Sequence, residues 1–205
     1  MSVAHGEQVS VLEEQRGRSM EWWGMVFFIC SEALIFANFI AAYLYLEIRN
    51  SGTGSWRLEN IVFPAINTVI LLSSSGFVHY AGSGIRKGNQ TQLRVGLFGT
   101  IILGLIFLGG QAYEYSTLIG EGFTLSSTKQ GPFGSAFFTL TGFHGFHVTI
   151  GAIFLIICLV RSYRGHFTQK KHFAVEAAEM YWHFVDGVWV FVFSFVYLLP
   201  LVMSK

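Results

Sequence analysis

Charge is what this sequence has least of. Asp, Glu, Lys and Arg make up 12% of its 205 residues, where a soluble domain carries about 25%. So few charges cannot clothe a water-facing surface, which excludes an ordinary soluble domain. The net charge of +1 provides no basic field for nucleic acid. Cysteine is scarce as well. Cys30 and Cys158 each sit inside an apolar run, where a free thiol behaves as a small packing group. No CxxC or Cys/His cluster points to zinc or an iron–sulfur centre. Apolar residues fill the gap: 52% of the chain is hydrophobic, with 21 Phe.

A bilayer-spanning helix needs about 20 mainly apolar residues. Five stretches qualify, at 22–48, 61–82, 93–118, 133–161 and 175–203. None carries an interior proline that would break it. Pro64 falls in the first turn of the second stretch, where proline is tolerated; Pro132 precedes the fourth and Pro200 lies near the end of the fifth. Barrel strands are excluded, because the runs show no ten-residue alternation. The sequence therefore predicts an all-α integral membrane bundle of five transmembrane helices. It divides into a polar N-terminal tail, 1–21, and a membrane domain, 22–205. The first apolar run starts late and is too long for a signal-peptide core, so no cleaved signal is expected.

Orientation follows the Lys/Arg bias. One side collects Arg16, Arg18, Arg86, Lys87, Arg94, Arg161, Arg164, Lys170 and Lys171. The other has Arg49, Arg57, Lys129 and Lys205. The richer side is predicted to be cytoplasmic, giving a cytoplasmic N-terminus and an external C-terminus. His166 and His172 lie on that side among Arg164, Lys170 and Lys171. That surface could gather protons, or it could be an ordinary positive-inside loop.

Polar residues at membrane depth normally face protein or water, since a charge at a helix centre costs about 2.5–3.5 kcal/mol on insertion scales. Glu32 lies ten residues past Trp22. It reads either as a proton-handling carboxyl or as a hydrogen-bonded group tying two helices together. Glu114 sits near the outer end of the third span, between Tyr113 and Tyr115, and fits inter-helix hydrogen bonding. His144 and His147 share a helix face, as do His183 and Asp186 three residues apart. Facing imidazoles could ligate haem, and the same spacing serves buried polar networks. A di-iron carboxylate site would need Glu-x-x-His on two helices, and neither pair has it. Gly104, Gly109, Gly110, Gly142, Gly145 and Gly151 suit close helix packing. Trp182 and Trp189, seven residues apart, read as packing or lipid-contact residues, and Arg161 as a further lipid contact.

Several blocks resemble subunit III of the haem-copper respiratory oxidases. They are Ser31-Glu32-Ala33-Leu34-Ile35-Phe36, Asn67-Thr68-Val69-Ile70-Leu71-Leu72-Ser73-Ser74, and Gln111-Ala112-Tyr113-Glu114-Tyr115. Gly134-Ser135-Ala136-Phe137-Phe138 follows, leading into Thr141-Gly142-Phe143-His144-Gly145-Phe146-His147-Val148. The last are His172-Phe173, Glu176-Ala177-Ala178 and Tyr181-Trp182-His183-Phe184-Val185-Asp186. The blocks stand in family order from about Ser31 to Tyr197. The long family form has two further N-terminal spans; this chain resembles the short, five-helix bacterial form.

The resemblance implies an accessory subunit of a cytochrome c oxidase in a bacterial plasma membrane. It would pack on catalytic subunit I, support proton uptake and protect the complex during oxygen reduction. Subunit II and a small subunit IV are expected as further partners. Haem and copper are expected in subunits I and II, not here. Cytochrome c is the expected donor, and membrane lipid, including bound phospholipid, the expected surroundings. Glu32 corresponds to the family's buried carboxyl. Glu114, His144, His147, Glu176, His183 and Asp186 form the expected intramembrane polar network. No catalytic, cofactor-binding or metal-ligating residue is expected. A subunit III of a quinol oxidase, or the related subunit beside nitric oxide reductase, are the nearest alternatives. A self-contained haem-binding enzyme fits less well, as does a proton-coupled transporter, whose inverted repeats and discontinuous helices are not found.

Overall fold

The computed structural model describes residues 19–50, 61–123 and 132–200. Within them the chain forms α1 (Met20–Asn50), α2 (Val62–Arg86), α3 (Gln90–Gly120), α4 (Pro132–Tyr163) and α5 (Phe173–Phe193). A π-helical turn, Ser194–Leu198, continues α5. All five helices are long and apolar enough to cross a membrane, and no strand occurs among the described residues. The protein is thus a multi-pass helical membrane protein, as its charge deficit and run lengths predict. Residues 1–18 of the predicted tail lie outside the described residues, as do Arg57, Lys129 and Lys205.

The helices outrun the predicted spans. α2 continues past residue 82 to Arg86, and α3 begins at Gln90. Between them only Lys87, Gly88 and Asn89 remain. Gly88 adopts φ +76°, a left-handed conformation that glycine reaches without steric cost. Asn89 then caps α3, its side chain accepting from the Gln92 amide at 3.0 Å, which satisfies one of the free amides at a helix start. The result is a tight antiparallel pair. Gly96 on α3 meets the α2 backbone so closely that a Cβ there would lie 2.6 Å from the Phe77 carbonyl oxygen. Small residues at such a crossing let two backbones approach.

α4 packs between α3 and α5, and α5 also packs on α2. α5 is the most enclosed helix, with 50% of its apolar window buried; α1 lies outside with 6%, resting on α4 and α5. The loops at one end form a single unit. Gln90 Nε2 donates to the Phe167 carbonyl at 2.9 Å and Gln169 Nε2 to the Arg86 carbonyl at 2.9 Å. Arg94 reaches the Ser162 carbonyl at 3.1 Å, and its guanidinium lies 4.7 Å from the Tyr163 ring centre.

Candidate functional site

Lipid offers buried polar groups no partners, so their hydrogen bonds must be closed between helices. α1 meets α4 through Glu32 and His147, whose Oε2 and Nε2 atoms are 3.0 Å apart. His147 Nδ1 lies 2.8 Å from the Phe143 carbonyl oxygen. A carbonyl only accepts, so Nδ1 carries a hydrogen. A hydrogen bond between Nε2 and the carboxyl then needs one proton, and with it the pair carries no net charge whichever atom holds it. That neutrality is what lets a carboxyl and an imidazole sit at this depth. Phe36 and Phe143 shield the imidazole, with ring centres at 4.9 and 4.5 Å.

α3 and α4 are joined by Gln111, which donates to the Thr141 carbonyl at 2.8 Å, and by Tyr115, whose hydroxyl lies 2.6 Å from Thr141 Oγ1. The absence of a side chain at Gly145 makes room for Gln111; a Cβ there would lie 2.7 Å from its amide oxygen. Glu114 accepts from the Tyr197 hydroxyl at 3.0 Å, linking α3 to the π-helical turn. α2 and α3 share the Asn67 Nδ2 bond to the Phe107 carbonyl, at 3.0 Å.

Among the described residues the α2–α5 seam is rich in links between one side chain and another. Trp182 Nε1 donates to Ser74 Oγ at 2.8 Å and Trp189 Nε1 to Thr68 Oγ1 at 2.9 Å. Ser75 donates to Asp186 and lies 3.1 Å from His183 Nδ1. Further along, Glu179 contacts His79 Nδ1 at 3.0 Å and Arg86 at 3.2 Å.

Several expectations are corrected. Trp182 and Trp189 are 0% and 2% exposed, so they are packing residues and not lipid contacts. Gly104 and Gly151 vacate the space that Trp182 fills, and α2 supplies acceptors for both indoles. His144 does not join the polar network. It is fully buried, and neither ring nitrogen has a hydrogen-bond partner among the described residues. Its ring lies against Trp189 at 4.7 Å and the edge of Phe107 at 5.8 Å. Glu176 stands in the first turn of α5, where its polar contact is His172 at 3.2 Å. His183 faces outward, its side chain 42% exposed, with Asp186 buried one turn on. Arg161 is exposed at the end of α4, its guanidinium 5.4 Å from the Phe167 ring centre. His166 is exposed in the following loop.

The sequence reading missed His79 and Glu179. His79 lies within the predicted second span, a polar group at depth like those that were noticed. Glu179 stands four residues before His183, one helical turn away on the same face.

Fold and site together define a polytopic membrane protein whose buried polar side chains mostly join its own helices. A family model for cytochrome c oxidase subunit III matches residues 15–200. The chain is 44% identical over 183 residues to cytochrome c oxidase subunit 3 of Marchantia polymorpha, covering 85% of this chain and 67% of that protein. It is 41% identical to the same subunit of Drosophila melanogaster and of Rattus norvegicus, covering 85% of this chain and 68% of each. The chain belongs to the cytochrome c oxidase subunit III family, which makes it an accessory subunit of a haem-copper oxidase.

Proposed function

We propose that this subunit packs directly on catalytic subunit I of a cytochrome c-driven oxidase and supports proton uptake and stability during turnover, with no redox centre of its own. Haem and copper reside in subunits I and II, and a small subunit IV completes the complex. The complex sits in a bacterial plasma membrane, with the N-terminus cytoplasmic as the Lys/Arg bias directs. Cytochrome c as donor follows the names of the relatives.

The observation that carries the non-redox reading is how the membrane histidines are used. Both nitrogens of His147 are engaged, by the Phe143 carbonyl and by Glu32. His144 is enclosed by Trp189, Phe107 and Phe36, which leaves no face for a macrocycle. Lipid contact is supported by an apolar groove of about 540 Å³ between α1 and α5, lined by Phe36, Ile40, Leu44, Phe184, Val188 and Phe191. Its apolar lining suits an acyl chain, and Arg161, exposed at the end of α4, is a separate candidate contact for a lipid headgroup.

The test is a mild-detergent purification of the tagged chain from its native membrane, with visible spectra and identification of co-purifying proteins. Haem absorbance should follow a larger catalytic subunit and vanish once this chain is isolated. A haem retained by the isolated chain would overturn the proposal. The co-purifying subunit also identifies the donor class.

A further inference from the structure

The α2–α5 seam ends in a cluster that the helix-joining role does not use up. His79, Glu179 and His183 bring one ligand atom each to within 4.8 Å of one another. They border a cavity of about 530 Å³ that Trp22, Phe173 and Met180 also line. Hydrogen-bond accounting shows which atoms are free. Ser75 donates its only hydroxyl hydrogen to Asp186, so toward His183 Nδ1, at 3.1 Å, it can only accept. Nδ1 of His183 therefore carries the hydrogen, and Nε2 of the neutral ring carries a lone pair. That lone pair lies 4.0 Å from Glu179 Oε1, an oxygen with lone pairs of its own. Oε1 also accepts a hydrogen bond from His79 Nδ1 at 3.0 Å, a proton that a cation would displace. Two ring nitrogens thus converge on one carboxylate oxygen, and a cation in place of the His79 proton would engage all three.

The surroundings fit a ligand set. Arg86 holds the other carboxylate oxygen, Oε2, at 3.2 Å, which orients the group and leaves Oε1 facing the histidines. The Asp186–Ser75–His183 chain fixes the imidazole tautomer, as outer-shell carboxylates do for metal-bound histidines. Gly82 lies directly beneath Glu179, where a Cβ would overlap the carboxylate. The two histidines are the exposed members, 68% and 42% by side chain, against 10% for Glu179. Metal–ligand distances of about 2.0–2.2 Å require only small shifts of the exposed rings, His79 outward from its 3.0 Å contact and His183 inward from 4.0 Å.

We propose that His79, Glu179 and His183 form a site for a first-row transition-metal dication, Zn²⁺ foremost, that clamps α2 to α5. Two imidazoles and one carboxylate, with a fourth position open to the cavity, form a donor set that suits zinc and also takes Cu²⁺. This departs from the expectation of no metal ligands, and it stands independently of the oxidase partnership.

The experiment uses the full chain, carrying no polyhistidine tag, in mild detergent. Zn²⁺ uptake is measured by equilibrium dialysis and elemental analysis, and Cu²⁺ is read by electron paramagnetic resonance. The expected result is one Zn²⁺ per chain, with affinity falling at least about tenfold in His79→Ala, whose exposed position spares the core. Ser75→Ala and Gly82→Ala retain all three ligands and should weaken binding by about 10–100-fold, the range for outer-shell changes. Cu²⁺ should show two nitrogen couplings in the wild type and one in His79→Ala. Absence of stoichiometric zinc in the wild type would overturn the proposal. So would zinc binding and nitrogen coupling unchanged by His79→Ala.

Discussion

Replacing Gly104 by alanine sets two opposed effects against each other at one atom. Alanine is the better helix former, by about 0.8–1.0 kcal/mol in a helix interior. Yet a Cβ at Gly104 would lie 2.7 Å from Cη2 of Trp182 and 3.0 Å from Cζ2, far inside ordinary carbon contact. The indole cannot retreat. Its Nε1 is tied to Ser74 at 2.8 Å, and its opposite edge already faces Gly151, where a Cβ would lie 3.0 Å from Cε3. Overpacking a full core costs about 1–3 kcal/mol, so net of the propensity gain Gly104→Ala should destabilise by up to about 2 kcal/mol, toward the upper end because the indole is held on both sides. Gly109, on the same helix, has nothing within 4 Å of its would-be Cβ; Gly109→Ala should be neutral or stabilising. The assay is reversible unfolding of both variants in mixed micelles. Adding Trp182→Phe should couple with Gly104→Ala, because the shorter ring relieves the clash. Equal stability of the two alanine variants, or additivity in the cycle, would refute the packing argument.

The Glu32–His147 pair gives a graded series. Glu32→Gln keeps a donor toward Nε2 and should leave membrane assembly intact. Glu32→Ala strands a buried ring nitrogen at about 1–3 kcal/mol. Glu32→Lys places a lone cation beside the imidazole and should impair accumulation in the membrane, read by quantitative blotting; normal levels of the Lys variant would show that Glu32 faces water. At His144 the expectation runs the other way. Its ring nitrogens have no hydrogen-bond partner among the described residues, so His144→Leu should cost less than about 1 kcal/mol, since no hydrogen bond is lost. A larger drop in micellar unfolding would reveal a bond to this ring.

The five spans were legible because scarcity of charge and length of run are properties of the chain itself, needing no partner. Helix ends were less so: α2 carries on through Ser83, Gly84 and Ile85 to Arg86, since a helix does not stop where its apolar window does. Some polar groups within the spans were legible, Glu32 and His147 among them, though His79 and Glu179 were passed over and what each group meets was not readable. Spacing places residues on one face of a helix and is silent on which helix that face opposes. His144 and His147, three apart, illustrate the limit: one is enclosed by aromatic rings and the other is bonded to α1. Trp182 and Trp189 do share a face, as their spacing implies. That the face points inward depends on glycines on α3 and α4 and on hydroxyls of α2, which only the folded bundle assembles.

Apolar contact cannot sort helices in a bilayer, because lipid tails are as apolar as leucine. In this chain the polar links therefore reveal how firmly each helix is held. α5 sends Trp182, Trp189, Asp186 and Glu179 to α2, and a glycine crossing joins α2 to α3. These helices form the fixed frame. α1 contributes Glu32 to His147, buries Tyr43 and Glu47 further along, and carries exposed Phe27, Leu34 and Ile35 on its outer side. A carboxyl and an imidazole joined by one hydrogen bond hold an outer helix without leaving a net charge in the membrane. The same pair is a sensitive point of attachment, since a substitution that localises a charge there penalises the docked position of α1 while leaving the frame of α2, α3 and α5 untouched.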